Sequence, residues 1–88
     1  MLEKIKRDVI AFWLTHGFLR RIGKRYPDSF ENMINGLTDN ENCRRVMKLR
    51  YTGEKQLKFE AISYEMNTDV RNVFMYHRQV IDKIISGT

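Results

Sequence analysis

Arg71, Asn72, Met75 and Arg78 lie close together near the C-terminus, in the run DVRNVFMYHR. A guanidinium can donate a bidentate pair of hydrogen bonds to guanine, and an asparagine carboxamide can pair with adenine. At 3.6 residues per helical turn, Arg71, Met75, Arg78 and Asp82 share one side of a helix. Val73, His77, Val80 and Ile84 share the other side. If such a helix entered the major groove by its N-terminal end, as the second helix of a helix-turn-helix does, Arg71 and Asn72 would be expected to face bases. Arg78, Lys58, Arg44 and Arg45 are expected to hold the phosphate backbone, which positions a protein without specifying sequence. Met75 brings no useful hydrogen bond. It can meet a thymine methyl, or it can serve as an adaptable contact to a protein. Phe74 lies on the flank of the same helix.

Other chemistries find little support. No two carboxylates sit together in an apolar setting, neither His16 nor His77 has a nucleophile at a familiar spacing, and no glycine-rich phosphate loop is present. The chain is predicted not to be an enzyme and to need no cofactor. With two histidines and one cysteine, Cys43, metal ligands are scarce and no metal site is predicted. A single cysteine excludes an internal disulfide, and Cys43 reads as a small buried apolar residue. His77, on the inward stripe, reads as a core histidine. Sixteen Lys and Arg against 11 Asp and Glu give a net charge of +5, which makes nucleic acid the leading partner.

These side chains need a scaffold, and the sequence predicts an all-α one. Hydrophobic residues make up 42% and charged residues 31%, which are globular values. The 88 residues fit a single compact domain of about five helices. The longest apolar run, VIAFWL (Val9 to Leu14), is soon followed by Arg20 and Arg21, whereas a membrane-spanning helix needs about 20 apolar residues. The sequence predicts no membrane segment, and a cytoplasmic location follows as the default.

Helical periodicity divides the chain. A first helix is expected from about Glu3 to Arg25, with Ile5, Val9, Phe12, Trp13, Leu19 and Ile22 on one stripe and Ile10, Leu14 and Phe18 on a second. So wide an apolar face implies burial on two sides or a partner over one of them. Tyr26-Pro27-Asp28 ends this helix and begins the next, where Asp28 and Glu31 resemble a capping box and Phe30, Met33, Ile34 and Leu37 form the apolar face. Thr38 and Glu41 match a second capping box, followed by Cys43, Val46, Met47 and Arg50-Tyr51. A polar loop, Thr52 to Gln56, leads to a fourth helix carrying Leu57, Phe59, Ile62 and Met66. Asn67 suits a left-handed helix end, and Asp69 is placed to cap the last helix through the N–H of Asn72.

Helix, short turn, helix near the C-terminus is the plan of a helix-turn-helix, whose second helix enters the major groove. The packing that sets their angle is expected between Ile62 and Met66 on one helix and Val73 and Tyr76 on the other. From Leu37 to Ile84 the chain resembles the C-terminal, promoter-reading domain of bacterial sigma factors. The shared features are a capped helix ending in Leu49-Arg50-Tyr51, a polar loop, Leu57, Glu60 and Ile62 in the pattern L-x-x-E-x-I, a cap at Asp69, and a long helix with Val73, Tyr76, Val80, Ile81 and Ile84 at apolar positions. Small phage-encoded regulators, including late-gene activators of temperate phages, resemble the same domain. The resemblance covers just over half of the chain. It implies a sigma-like helix-turn-helix over 37–86 that reads DNA through the first two turns of its last helix, with 1–36 as a helical extension packed on it.

Two functions follow as expectations. In the first, the chain is a DNA-binding transcriptional regulator whose partner is double-stranded DNA, with helix one packing the motif or forming a homodimer. In the second, it is a protein-interaction module that binds RNA polymerase or a sigma factor without reading DNA. Arg71 and Arg78 favour DNA, whereas Val70, Phe74 and Met75 favour protein.

Overall fold

The structure, a computed structural model, describes residues 2–13 and 17–86, with side chains from Ile5 onward. All regular structure among the described residues is helical: α1 (Leu2–Trp13), α2 (Leu19–Arg25), α3 (Pro27–Leu37), α4 (Glu41–Tyr51), α5 (Phe59–Glu65) and α6 (Val70–Ser86). None of these helices is long and apolar enough to cross a membrane.

Six helices are described where about five were expected, because the helix predicted from Glu3 to Arg25 is represented by α1 and α2, with residues 14–16 between them outside the described residues. Gly17 and Phe18 form a wide π-type turn that leads into α2. The apolar period runs on from Trp13 to Leu19 and Ile22 and predicts one helix, although Gly17 lies within it. Leu14 of the expected second stripe, and His16, lie outside the described residues. Ile10 packs on the core, but Ile5, Val9, Phe12 and Trp13 are 58–63% exposed. The Trp13 and Phe18 rings stack at 4.8 Å.

Neither of the two expected capping boxes forms: one helix start has no side-chain cap, and the other is capped by a different residue. Pro27 occupies the first position of α3, so the helix begins before Asp28, and no side chain caps it. Proline suits that position because its fixed φ is already helical and its missing N–H would have had no partner. Asp28 instead lies in the first turn, where its carboxylate faces the positive helix end. At α4 the cap is Asn40, whose Oδ1 accepts from the N–H groups of Asn42 (2.9 Å) and Cys43 (3.2 Å). Thr38 acts one step earlier, its Oγ1 accepting from Asn40 N–H at 3.2 Å. The α5–α6 turn follows expectation more closely: Asn67 is left-handed at φ 52°. Asp69 caps α6, but through the N–H of Arg71, at 2.8 Å, in place of that of Asn72.

The interior has two parts. The larger joins Leu19, Phe30, Ile34, Cys43, Met47, Tyr51, Val80 and Ile81, and so draws on α2, α3, α4 and α6. The smaller joins Val46, Ile62 and Val73, with Met66, Tyr76, Leu57 and Phe59 packed against it. This is the α5–α6 contact that the apolar spacing predicts. Helix α4 touches α2, α3, α5 and α6. On the α2 side, Gly23 lies so near Tyr51 that an added Cβ would come 2.8 Å from the Tyr51 carbonyl carbon. Arg20 fixes this approach. Its guanidinium donates to the carbonyls of Tyr51 (3.1 Å), Gly53 (2.9 Å) and Glu54 (2.9 Å), which satisfies the Tyr51 acceptor at the end of α4 and two more in the loop that follows.

Candidate nucleic-acid interface

The inward stripe of α6 is buried at Val73, His77, Val80 and Ile81, which leaves Arg71, Met75, Arg78 and Asp82 on the exposed side. Burial of one stripe therefore presents the other. Phe59 and Phe74, with ring centroids 4.8 Å apart, brace the flank of α6 on α5. Phe74 is still 47% exposed, and Met75 44%.

The first turn of α6 is organised by the turn before it. Arg71 Nε and Nη2 donate to the two Asp69 carboxylate oxygens, both at 3.3 Å. Asp69 is held below the usual carboxylate range, first by the Arg71 backbone N–H and then by its side chain. Asn72 Nδ2 donates to Thr68 Oγ1 at 2.9 Å. Both side chains are thus held by the turn that precedes α6. A guanidinium has five N–H donors, so Arg71 retains some beyond Asp69. Arg78 has no hydrogen-bond or ion-pair partner among the described residues.

The remaining candidates divide. Lys58 is exposed at the N-cap position of α5. Arg45 is exposed and donates to the Glu65 carbonyl at the other end of α5, at 3.1 Å. Arg44 has a different role. Its Nε donates to Thr38 O at 2.7 Å and its Nη2 to Asn35 O at 3.2 Å. It also pairs with Glu41 (3.2 Å) and Asp39 (3.5 Å). Arg44 is a clamp across the α3–α4 turn, so the structure brings Arg71, Asn72, Met75 and Arg78 onto one helix and turns Arg44 away to another task.

Behind this surface, the Tyr51 hydroxyl and His77 Nε2 form a buried 2.6 Å hydrogen bond. Burial, and secondarily the Arg50 charge, lowers the His77 pKa to about 4. Burial raises that of Tyr51 to about 12. Both are therefore neutral near pH 7. The arginine of the Leu49-Arg50-Tyr51 run donates to Leu57 O at 2.6 Å and lies 4.5 Å over the Phe59 ring. It fastens α4 to the start of α5. Cys43 is buried and its thiol donates to Gln79 Oε1 at 3.3 Å. Burial pushes that thiol pKa up, which makes it a poor nucleophile. Among the described residues no group of three His, Cys, Asp or Glu side chains could hold a metal ion.

Sequence reasoning missed two features. Tyr64 on α5 is 84% exposed, and Arg21, Lys24 and Arg25 of α2 stand in solvent. The second had a signal in the sequence: cations at i, i+3 and i+4 in LRRIGKR. The apolar period running through the N-terminal segment hides it.

The chain matches no protein-family model, no curated protein and no solved structure.

Proposed function

We propose that the chain is a DNA-binding transcriptional regulator, in which α5 and α6 act as a sigma-like helix-turn-helix of the kind phage-borne regulators carry. α6 enters the major groove. Arg71 and Asn72 meet base edges, Arg78, Lys58 and Arg45 hold phosphates, and Met75 lies against a thymine methyl. One observation carries this reading: the side of α6 opposite its buried stripe is exposed and bears Arg71 and Arg78, with Arg71 and Asn72 held by Asp69 and Thr68. Fluorescence anisotropy with labelled duplexes tests it. Binding that weakens steeply as salt rises is expected. Absence of binding at low salt to every duplex tried, including DNA upstream of the protein's own gene, would end it.

A second reading is favoured by the apolar groups on the same surfaces. Tyr64, Phe74 and Met75 are exposed on α5 and α6, which fits a module that grips RNA polymerase or a sigma factor without reading DNA. Recovery of purified polymerase on the immobilised protein, together with no duplex affinity, would select this reading over the first.

Self-association through α1 is compatible with both. Ile5, Val9, Phe12 and Trp13 form an exposed apolar stripe on α1 that a second copy could cover. In an antiparallel pair the aromatic end of one α1 would lie over Ile5 of the other.

A further inference from the structure

The positive charge of this chain is unevenly engaged. Arg20 serves three carbonyls and Arg50 one. Arg44 pairs with Asp39 and Glu41, Lys48 with Glu31 at 3.9 Å, and Arg71 with Asp69. Helix α2 is different. Its sequence, LRRIGKR, contains no acid. Leu19 and Gly23 are buried, and at 3.6 residues per turn Arg21, Lys24 and Arg25 fall on the opposite side. All three are exposed, and none has an ion-pair partner among the described residues. The Arg25 guanidinium lies 5.7 Å over the ring of Tyr26, itself exposed. Side chains three and four residues apart on a helix have Cβ atoms about 5–6 Å apart, so the three form one ridge of like charge.

The ridge has a connection to the α5–α6 surface. Arg20, on the flank of α2, binds the carbonyls of Tyr51, Gly53 and Glu54. The segment pinned in this way continues through Lys55 to Lys58 at the start of α5, and both lysines are exposed. Like charges held together without acids repel one another and are relieved by a polyanion. Flexible lysine and arginine ends, with no fixed donor geometry around them, suit backbone phosphates better than base edges.

We propose that the α2 ridge of Arg21, Lys24 and Arg25 is a second phosphate-binding element, which grips the backbone of the nucleic acid outside the stretch met by α6. This rests on the duplex-binding reading above. It adds that the N-terminal half of the chain contributes contacts of its own, and that these set much of the salt dependence and little of the sequence preference.

The test is the slope of log affinity against log salt, measured by anisotropy on a duplex of about 25 base pairs. It compares the wild type, the triple variant Arg21→Gln/Lys24→Gln/Arg25→Gln, and a control with the same loss of charge, Lys6→Gln/Arg7→Gln/Lys83→Gln. Each phosphate contact contributes about 0.9 to the slope. The triple variant should therefore lose about 2 to 3 from the slope, and the control should lose well under 1. The corresponding single variants should each lose about 1. Unchanged helicity by circular dichroism would show that the exposed substitutions leave the fold intact. Should one variant fail to fold, the two remaining single variants carry the test. An unchanged slope in the α2 variants, or an equal fall in the control, would overturn the inference while leaving duplex binding in place. A wild type that binds no duplex would overturn the underlying reading as well, and the two failures are thereby distinguished.

Discussion

The Tyr51 hydroxyl and the His77 Nε2 lie 2.6 Å apart in the interior, so a buried polar contact ties α4 to the inward stripe of α6. Its energetics depend on pH. The folded state holds the His77 pKa near 4, whereas an unfolded chain has a histidine pKa near 6.5. Between these values the unfolded chain binds a proton that the folded one refuses, so stability falls as pH drops from about 6.5 to 4, by on the order of 2–3 kcal/mol. Above pH 6.5 this contribution is fully present. Urea unfolding at pH 7, 5.5 and 4.5 measures it. His77→Phe should flatten the profile across that window, while lowering stability at pH 7 by about 1–3 kcal/mol because the Tyr51 hydroxyl loses its partner.

Gly23 and Gly36 should respond to alanine in opposite directions. A Cβ at Gly23 would run into the Tyr51 carbonyl, and a Cβ at Gly36 meets nothing within 4 Å. Gly23→Ala is expected to destabilise by about 1–3 kcal/mol through overpacking. Gly36→Ala is expected to stabilise by about 0.4–1 kcal/mol, because it restricts the unfolded chain. Thermal melts of the two variants side by side would check the pair.

Arg44 and Arg78 allow a structural arginine to be compared with one proposed to bind phosphate. Arg44→Gln removes a 2.7 Å hydrogen bond to Thr38 O and should cost about 1–2 kcal/mol of stability, with the salt slope of duplex binding unchanged. Arg78→Gln should leave stability within about 0.5 kcal/mol and reduce that slope by about 1. Denaturation and anisotropy on the same two proteins decide the matter.

Arg71→Ala should act on sequence preference. Selection of bound duplexes from a random pool is expected to lose its preference at one base position, at a cost of about 1–3 kcal/mol, while nonspecific affinity persists. Uniform weakening across the pool would instead make Arg71 a phosphate contact.

Val9→Lys places a charge at the centre of the exposed α1 stripe. Val9 is 62% exposed, so the monomer fold should tolerate the change. If α1 pairs with a second copy, the wild type should sediment as a concentration-dependent dimer and the variant as a monomer. Trp13, the only tryptophan, should show a red shift of emission on dilution of the wild type alone.

The two ends of the chain differed in how legible they were. On α6 the three- and four-residue repeat of Val73, His77 and Val80 is unbroken, so the buried stripe and the exposed side opposite it could both be read directly. The turn before it announced itself through Asn67 and Asp69, whose side chains suit a left-handed residue and a cap. Between Trp13 and Leu19 the glycine at position 17 is the sign of a break, and the apolar period that continues at Leu19 and Ile22 outweighs it. Thr38 and Asn40 are both competent caps, and only the backbone path places Asn40 against the free N–H groups of α4. Arg44 shows a third limit. A guanidinium bound to carbonyls across a turn and one reaching for phosphate have the same letter in a sequence, and the carbonyls come within reach only after the chain has folded.

The shared interior of Leu19, Phe30 and Ile34 with Tyr51, Val80 and Ile81 means that the last two helices are not a portable module. A chain begun at Leu37 would lay bare the apolar side of α4, lose the guanidinium that stoppers its final carbonyl, and be expected to clump. Transplanting α5 and α6 into another host would therefore require carrying α2 and α3 along with them.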